Sequence, residues 1–115
     1  MAIEILSDET ILVALPKEPQ LRYELETINE TISSHGDYNV IIDFTRVEIL
    51  TSSSISNLMI LRDLQSRRSR KLILCNVSLP TKGIFNVAGL EGLFDFAEDK
   101  FAALAKLEHS NSHSQ

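Results

Sequence analysis

Val40-Ile41-Ile42-Asp43-Phe44-Thr45-Arg46-Val47-Glu48-Ile49-Leu50-Thr51-Ser52-Ser53-Ser54-Ile55-Ser56-Asn57-Leu58 decides how the rest of the chain is read. It opens as a short apolar run between polar residues, the length and character of a strand buried on both faces. It turns at Asp43 and crosses a connection carrying Val47, Ile49 and Leu50. It then reaches a row of hydroxyls, Thr51 to Ser54, the residue types that cap a helix start, and an amphipathic run follows at once. The expected sequence of elements is strand, loop, hydroxyl cap, helix. In a sheet covered by helices, strand carboxyl ends and adjacent helix starts are where ligands and partners are met.

Outward from this stretch, the pattern extends in both directions. Ile3 to Ile5 and Ile11 to Leu15 read as two strands joined by the polar turn Ser7-Asp8-Glu9-Thr10, a hairpin. Pro16 closes the second strand and Pro19 suits the first turn of a helix. Leu21, Leu25, Ile28 and Ile32 then recur at helical spacing as far as His35-Gly36, where glycine suits a helix stop. The strand Tyr38 to Asp43 leads through the central loop to a second helix, Ser52 to Arg68. Lys71 to Cys75 is another strand, and Pro80 begins a third helix ending near Gly89 or Gly92. Leu93 to Ala97 is a last strand, and Asp99 to Leu107 a closing helix. The order ββαβαβαβα implies an α/β fold, a mixed sheet in which a hairpin precedes parallel strands joined by right-handed crossovers. Residues 1–107 form one domain, and the polar tail from Glu108 to Gln115 is expected to be disordered.

Composition narrows the function classes. The 115 residues carry a formal net charge of −5, so nucleic acid is repelled on average, and few aromatics are available for base stacking. No apolar run reaches the roughly 20 residues of a membrane span, so no membrane insertion is expected. A lone cysteine, Cys75, lies in an apolar run and suits a reduced, cytoplasmic setting. The one basic cluster, Arg67-Arg68 with Arg70-Lys71, reads best as cations at a helix carboxyl end.

Enzyme constellations are missing from the pattern. His35, His109 and His113 are not placed to serve a nucleophilic serine, and no glycine-rich phosphate loop or Cys/His metal spacing occurs. His109 and His113, four apart in a polar segment, allow at most a weak adventitious metal contact. No cofactor, no metal and no enzymatic activity are therefore expected. Asp43 alone would suit a response-regulator receiver, but the first strands end without the acidic pair such a site needs. For Thr51 to Ser54 two readings remain, a helix cap with a solvated first turn or a phosphorylation site, and composition alone favours the cap. Use of this helix start as a small-anion site is the weakest reading, because no glycine permits close backbone approach.

Residues 40–58 resemble the central motif of STAS domains, the fold of anti-sigma-factor antagonists. There a buried strand ends in Asp, a short apolar loop follows, and an Asp-Ser-Ser/Thr-Gly tetrad opens the second helix. Asp43 aligns with the strand end and Thr51-Ser52-Ser53-Ser54 with the tetrad. Ala88-Gly89-Leu90-Glu91-Gly92-Leu93-Phe94-Asp95-Phe96 resembles the exit of the third helix and the last strand. The resemblance implies a regulatory interaction module that binds a kinase-type anti-sigma factor or related regulatory protein and is released by phosphorylation. It implies Ser52 as phosphoacceptor, with Ser53 the second choice. Asp43, Arg46, Thr51, Ser53, Ser54 and Asn57 are the expected partner-binding residues, and a weak homodimer is compatible with it. Thr51 stands where the family has Asp, and Ser54 where it has Gly. Degenerate tetrads also occur in constitutive scaffolds and in accessory subunits of lipid-transport ATPases, which is the alternative function.

Overall fold

A computed structural model describes residues 2–113 of the chain. Strands β1 (Ala2–Ser7) and β2 (Thr10–Ala14) form an antiparallel hairpin. Strands β3 (Asn39–Asp43), β4 (Leu72–Cys75) and β5 (Asp95–Ala97) run parallel to β2 in the spatial order β1-β2-β3-β4-β5. The helices are α1 (Gln20–His35), α2 (Ser52–Arg67), α3 (Leu79–Val87) and α4 (Lys100–His113). This is the ββαβαβαβα order expected from the sequence.

Alternation along the strands divides the core in two. Val13, Leu15, Val40, Ile42, Phe44 and Leu74 point to one face, where they meet Leu21, Leu25 and Ile28 of α1, Leu58 and Leu61 of α2, and Phe85 of α3. Leu12, Ile41, Ile73 and Cys75 point to the other, where Ala103 and Leu107 of α4 cover them. Central strands buried on both faces tolerate no alternating polar residue, which is why 40–42 read as a continuous apolar run. Full burial of each such side chain is worth about 1.5–3 kcal/mol relative to exposure. Phe85 packs edge-on against Phe94 and Phe96, with ring centroids 5.4 and 5.6 Å apart.

Three details depart from the expected pattern. A 3-10 turn at Glu91–Leu93 takes the start of the expected last strand, leaving only Asp95–Ala97 to pair with β4. Gly36 follows α1 with φ −97°, not a left-handed stop; a Cβ there would lie 2.8 Å from the Ile32 backbone, so lack of space explains the glycine. The closing helix continues past Leu107 through the Ser- and His-rich segment to His113. Each residue added to a nucleated helix gains a backbone hydrogen bond, which favours its extension. Ser114 and Gln115, and the side chains of His35, His109 and His113, lie outside the described residues.

The basic cluster at the far end of α2 serves its neighbours more than its own helix. Arg68 donates to the carbonyls of Ile32, Ser33 and Gly36, the exposed end of α1. Arg70 donates to Asp37 at 2.9 Å, and the Gln65 amide spans the carbonyls of Tyr38 and Lys71 at 2.7 and 2.8 Å. These contacts fix the amino ends of β3 and β4. At the opposite edge, backbone bonds continue the ladder past the strands: Leu15 N–H to Asp43 at 3.1 Å and Phe44 N–H to Cys75 at 2.9 Å. The loops after β2, β3 and β4 are thereby brought to one edge of the sheet.

Candidate interaction site at the start of the second helix

Asp43 ends β3 and directs the loop that follows. Its Oδ1 accepts from the Thr45 amide at 2.9 Å, from the Thr45 hydroxyl at 2.5 Å and from Asn76 Nδ2 at 3.0 Å. Burial works to raise the pKa of this half-buried carboxyl, but the bonds from Thr45 and Asn76 outweigh it and hold the pKa below the usual value. Asp43 is therefore an internal staple joining β3, its own loop and the end of β4. Beyond it Phe44, Val47 and Leu50 are buried, and the Val47 amide closes a turn on the Phe44 carbonyl at 2.9 Å. Ile49, between these anchors, is 64 % exposed and forms an apolar point beside the helix start.

Thr51 is the cap of α2, in extended backbone, with its Oγ1 accepting from the Ser54 amide at 3.2 Å. Glu18 reaches this cap from the loop between β2 and α1. Its Oε2 accepts from the Thr51 amide at 2.9 Å and from the Ser54 hydroxyl at 2.7 Å. Burial raises the pKa of Glu18, but hydrogen bonds from Ser54, then Thr51, prevail and hold the carboxyl below its ordinary value. A carboxylate at a helix amino end is favoured by the helix dipole. Lys17, one residue earlier, pairs with Glu48 at 3.0 Å, so the two loops are joined at two points.

The structure sorts the hydroxyl row. Thr51, Ser52 and Ser53 are exposed, and so is Arg46 in the preceding loop. Ser54 is not: it is 0 % exposed, and its hydroxyl is committed to Glu18. The expectation that Ser54 presents its side chain to a partner is corrected accordingly, since the third helical residue turns inward over the β2–α1 loop. Asn57 is half-buried and bridges helices, its Nδ2 donating to the Ser53 carbonyl at 3.0 Å while its own carbonyl accepts from Asn29 on α1 at 3.0 Å. Its role is to fix α2 against α1. Asp43, half-buried and bonded internally, likewise supports the loop instead of standing at its surface.

Glu18 is the residue of this site that sequence reasoning missed. It is 33 residues from Thr51 and 36 from Ser54, and a lone glutamate between two prolines carries no local signal. The one available hint is complementary: Thr51 leaves the helix start without the acid expected there. Among the described residues, no three His, Cys, Asp or Glu side chains are grouped to hold a metal ion. No helix among them is long and apolar enough to cross a membrane.

A family model described as the STAS domain matches residues 9–103. Solved structures with the same fold include RsbS from Moorella thermoacetica in a serine-to-glutamate variant, 17% identical, covering 96% of this chain and 97% of that one with a TM-score of 0.80. The anti-sigma factor antagonist SpoIIAA in its unphosphorylated form is 16% identical, covering 93% of this chain and 96% of its own, with a TM-score of 0.72. The phosphorylated form of the Bacillus cell fate determinant SpoIIAA is 22% identical over 92% and 97% of the two chains, with a TM-score of 0.65. No curated protein matches the sequence.

Proposed function

The chain belongs to the STAS domain family, and from that premise we propose that it is a regulatory interaction module of the cytoplasm, not an enzyme. In this reading the unmodified row of Thr51, Ser52 and Ser53 docks a kinase-type anti-sigma factor or related regulatory protein, with Arg46 and Ile49 at its margin. Phosphorylation of Ser52, or as second choice Ser53, ends the docking. The observation that supports it most is the exposure of these hydroxyls on the first turn of α2, at the sheet edge where three loops converge.

Magnitudes favour a switch that acts at the interface. A phosphate adds close to two negative charges beside a helix amino end, where the dipole favours an anion by roughly 0.3–1 kcal/mol. Moving a two-state equilibrium from mostly off to mostly on takes about 5.5 kcal/mol. Leaving a charge buried and unpaired in an interface costs about 3–5 kcal/mol, and like-charge contact adds to it. The isolated domain therefore keeps its fold on modification while the complex does not survive it.

Affinity capture from cells that make the protein tests this with Ser52→Ala and Ser52→Glu baits. The reading requires an ATPase of the kinase class to be held by Ser52→Ala and lost from Ser52→Glu. Equal capture of one partner by both baits would remove the switch. Thr51 and Ser54, in place of the family's Asp and Gly, favour the second reading, a constitutive scaffold or accessory subunit of a lipid-transport ATPase. Equal capture of transporter components would support it.

A further inference from the structure

The two exposed serines of the first turn of α2 have different surroundings. Ser53 lines a cleft of about 200 Å³ together with Glu18, Pro19, Arg22 and Thr51, and Ser52 is not one of its walls. A carboxylate already stands in this cleft. Glu18 Oε2 is held by the Thr51 amide and the Ser54 hydroxyl, while Oε1 is buried with no hydrogen-bond partner. These donors hold the carboxyl in its ionised form, and a further negative charge beside it is repelled.

We infer that Glu18 is the specificity-determining residue of the modification step: it disfavours a phosphate on Ser53 and leaves Ser52 as the hydroxyl that carries one with the loop clasp intact. This rests on the reading that the hydroxyl row is phosphorylated. In that step the serine Oγ bonds to the γ-phosphorus of ATP as the bond to the β,γ-bridging oxygen breaks. ADP leaves, and the hydroxyl proton passes to a base of the kinase. Ser53 shares the cleft with Glu18 and Ser52 does not, so the repulsion is expected to be larger for a phosphate on Ser53.

Of the nearby cations, Arg22 is the one that lines the cleft. Lys17 is engaged by Glu48 at 3.0 Å. Arg22 Nε lies 3.9 Å from Glu26 and its guanidinium 4.4 Å from the Tyr23 ring centroid, so these two groups compete with a phosphate for it. Arg46 is exposed on the β3–α2 loop.

The test uses the full chain with phosphoserine encoded at position 52 or 53, and needs no partner. The Glu18 carboxyl is titrated by carbon NMR, and the urea midpoint is measured for each form. Phosphate at Ser53 is expected to weaken Glu18 ionisation by about tenfold, one pKa unit, and to lower the midpoint; at Ser52 the change stays below about twofold. Glu18→Gln, which keeps the shape and removes the charge, should abolish the midpoint difference between the two phosphoforms. Should that variant not fold, the two titrations in the native sequence decide alone. Equal shifts from both positions would overturn the inference. So would a Ser53 phosphoform more stable than the unmodified chain, with the increment lost in Arg22→Ala. A partner indifferent to Ser52→Glu would sink the functional reading while leaving these titrations as they are.

Discussion

Ser54→Ala probes the clasp between the start of α2 and the β2–α1 loop, and also removes the weaker 3.2 Å contact that Ser54 accepts from the Thr51 hydroxyl. The substitution removes the hydroxyl that donates to Glu18 at 2.7 Å and leaves the Thr51 amide at 2.9 Å as the remaining donor to the same oxygen. A hydrogen bond to a charged group contributes about 1.5–3 kcal/mol. Glu18 is only partly buried, which places this bond at the low end of that range, and alanine's better helix propensity returns roughly 0.5 kcal/mol. The net loss is about 1 kcal/mol, a fall in melting temperature of about 4 °C for a domain of this size. The pH dependence makes the test sharper. The pKa of Glu18 is lowered on folding from an ordinary 4.5, so its contribution is fully present above 4.5 and is lost as pH falls through the lower folded value. Urea denaturation of both proteins at pH 7 and in acid below that window should therefore give a penalty that shrinks in acid, with unchanged m-values. A penalty equal at both pH values, or absent at pH 7, would refute the carboxylate clasp.

Other consequences can be checked on the same protein. Asp43→Ala removes the acceptor of bonds from Thr45 and Asn76 and should destabilise the fold by about 2 kcal/mol, with the loop amides from Thr45 to Val47 losing exchange protection; unchanged exchange would contradict its role as a staple. A double-mutant cycle on Asn29 and Asn57, each changed to Ala, should show coupling of about 0.5–1.5 kcal/mol, and additivity would remove the helix bridge. Burial, with a smaller contribution from the Asp43 charge, pushes the Cys75 thiol up to about 11. Alkylation by iodoacetamide at pH 8 should accordingly follow the rate of unfolding, and fast labelling of the native protein would count against that burial.

The fold was legible because its decisive signals are local. Val40 to Ile42 as a continuous apolar run, Thr51 as a cap, and the helical recurrence of Leu21, Leu25, Ile28 and Ile32 each depend on neighbours within one or two turns. Failures came where distant segments meet. Ser54 reads as one more exposed hydroxyl until Glu18 arrives from another loop, and Asn57 reads as facing a partner or water until Asn29 of α1 meets it. Arg68 looks like a dipole partner of α2, yet its guanidinium closes the end of α1. Ile49 and Leu50 read as loop anchors of which one could lie in an exposed apolar patch; Leu50 is buried and Ile49 is turned outward, a choice that an irregular loop has no period to reveal. The strand end, loop and helix start were thus legible along the chain, while the contacts among their side chains follow from tertiary structure.

The central claim, that another protein reads the chemical state of an exposed hydroxyl, is tested most directly by mapping phosphate on the protein isolated from its own cells. Intact-mass and fragment spectra across growth and stress conditions should show a phosphoform that changes in abundance, with the phosphate on Ser52. A chain that stays unmodified in every condition, or carries phosphate only away from the start of α2, would contradict it.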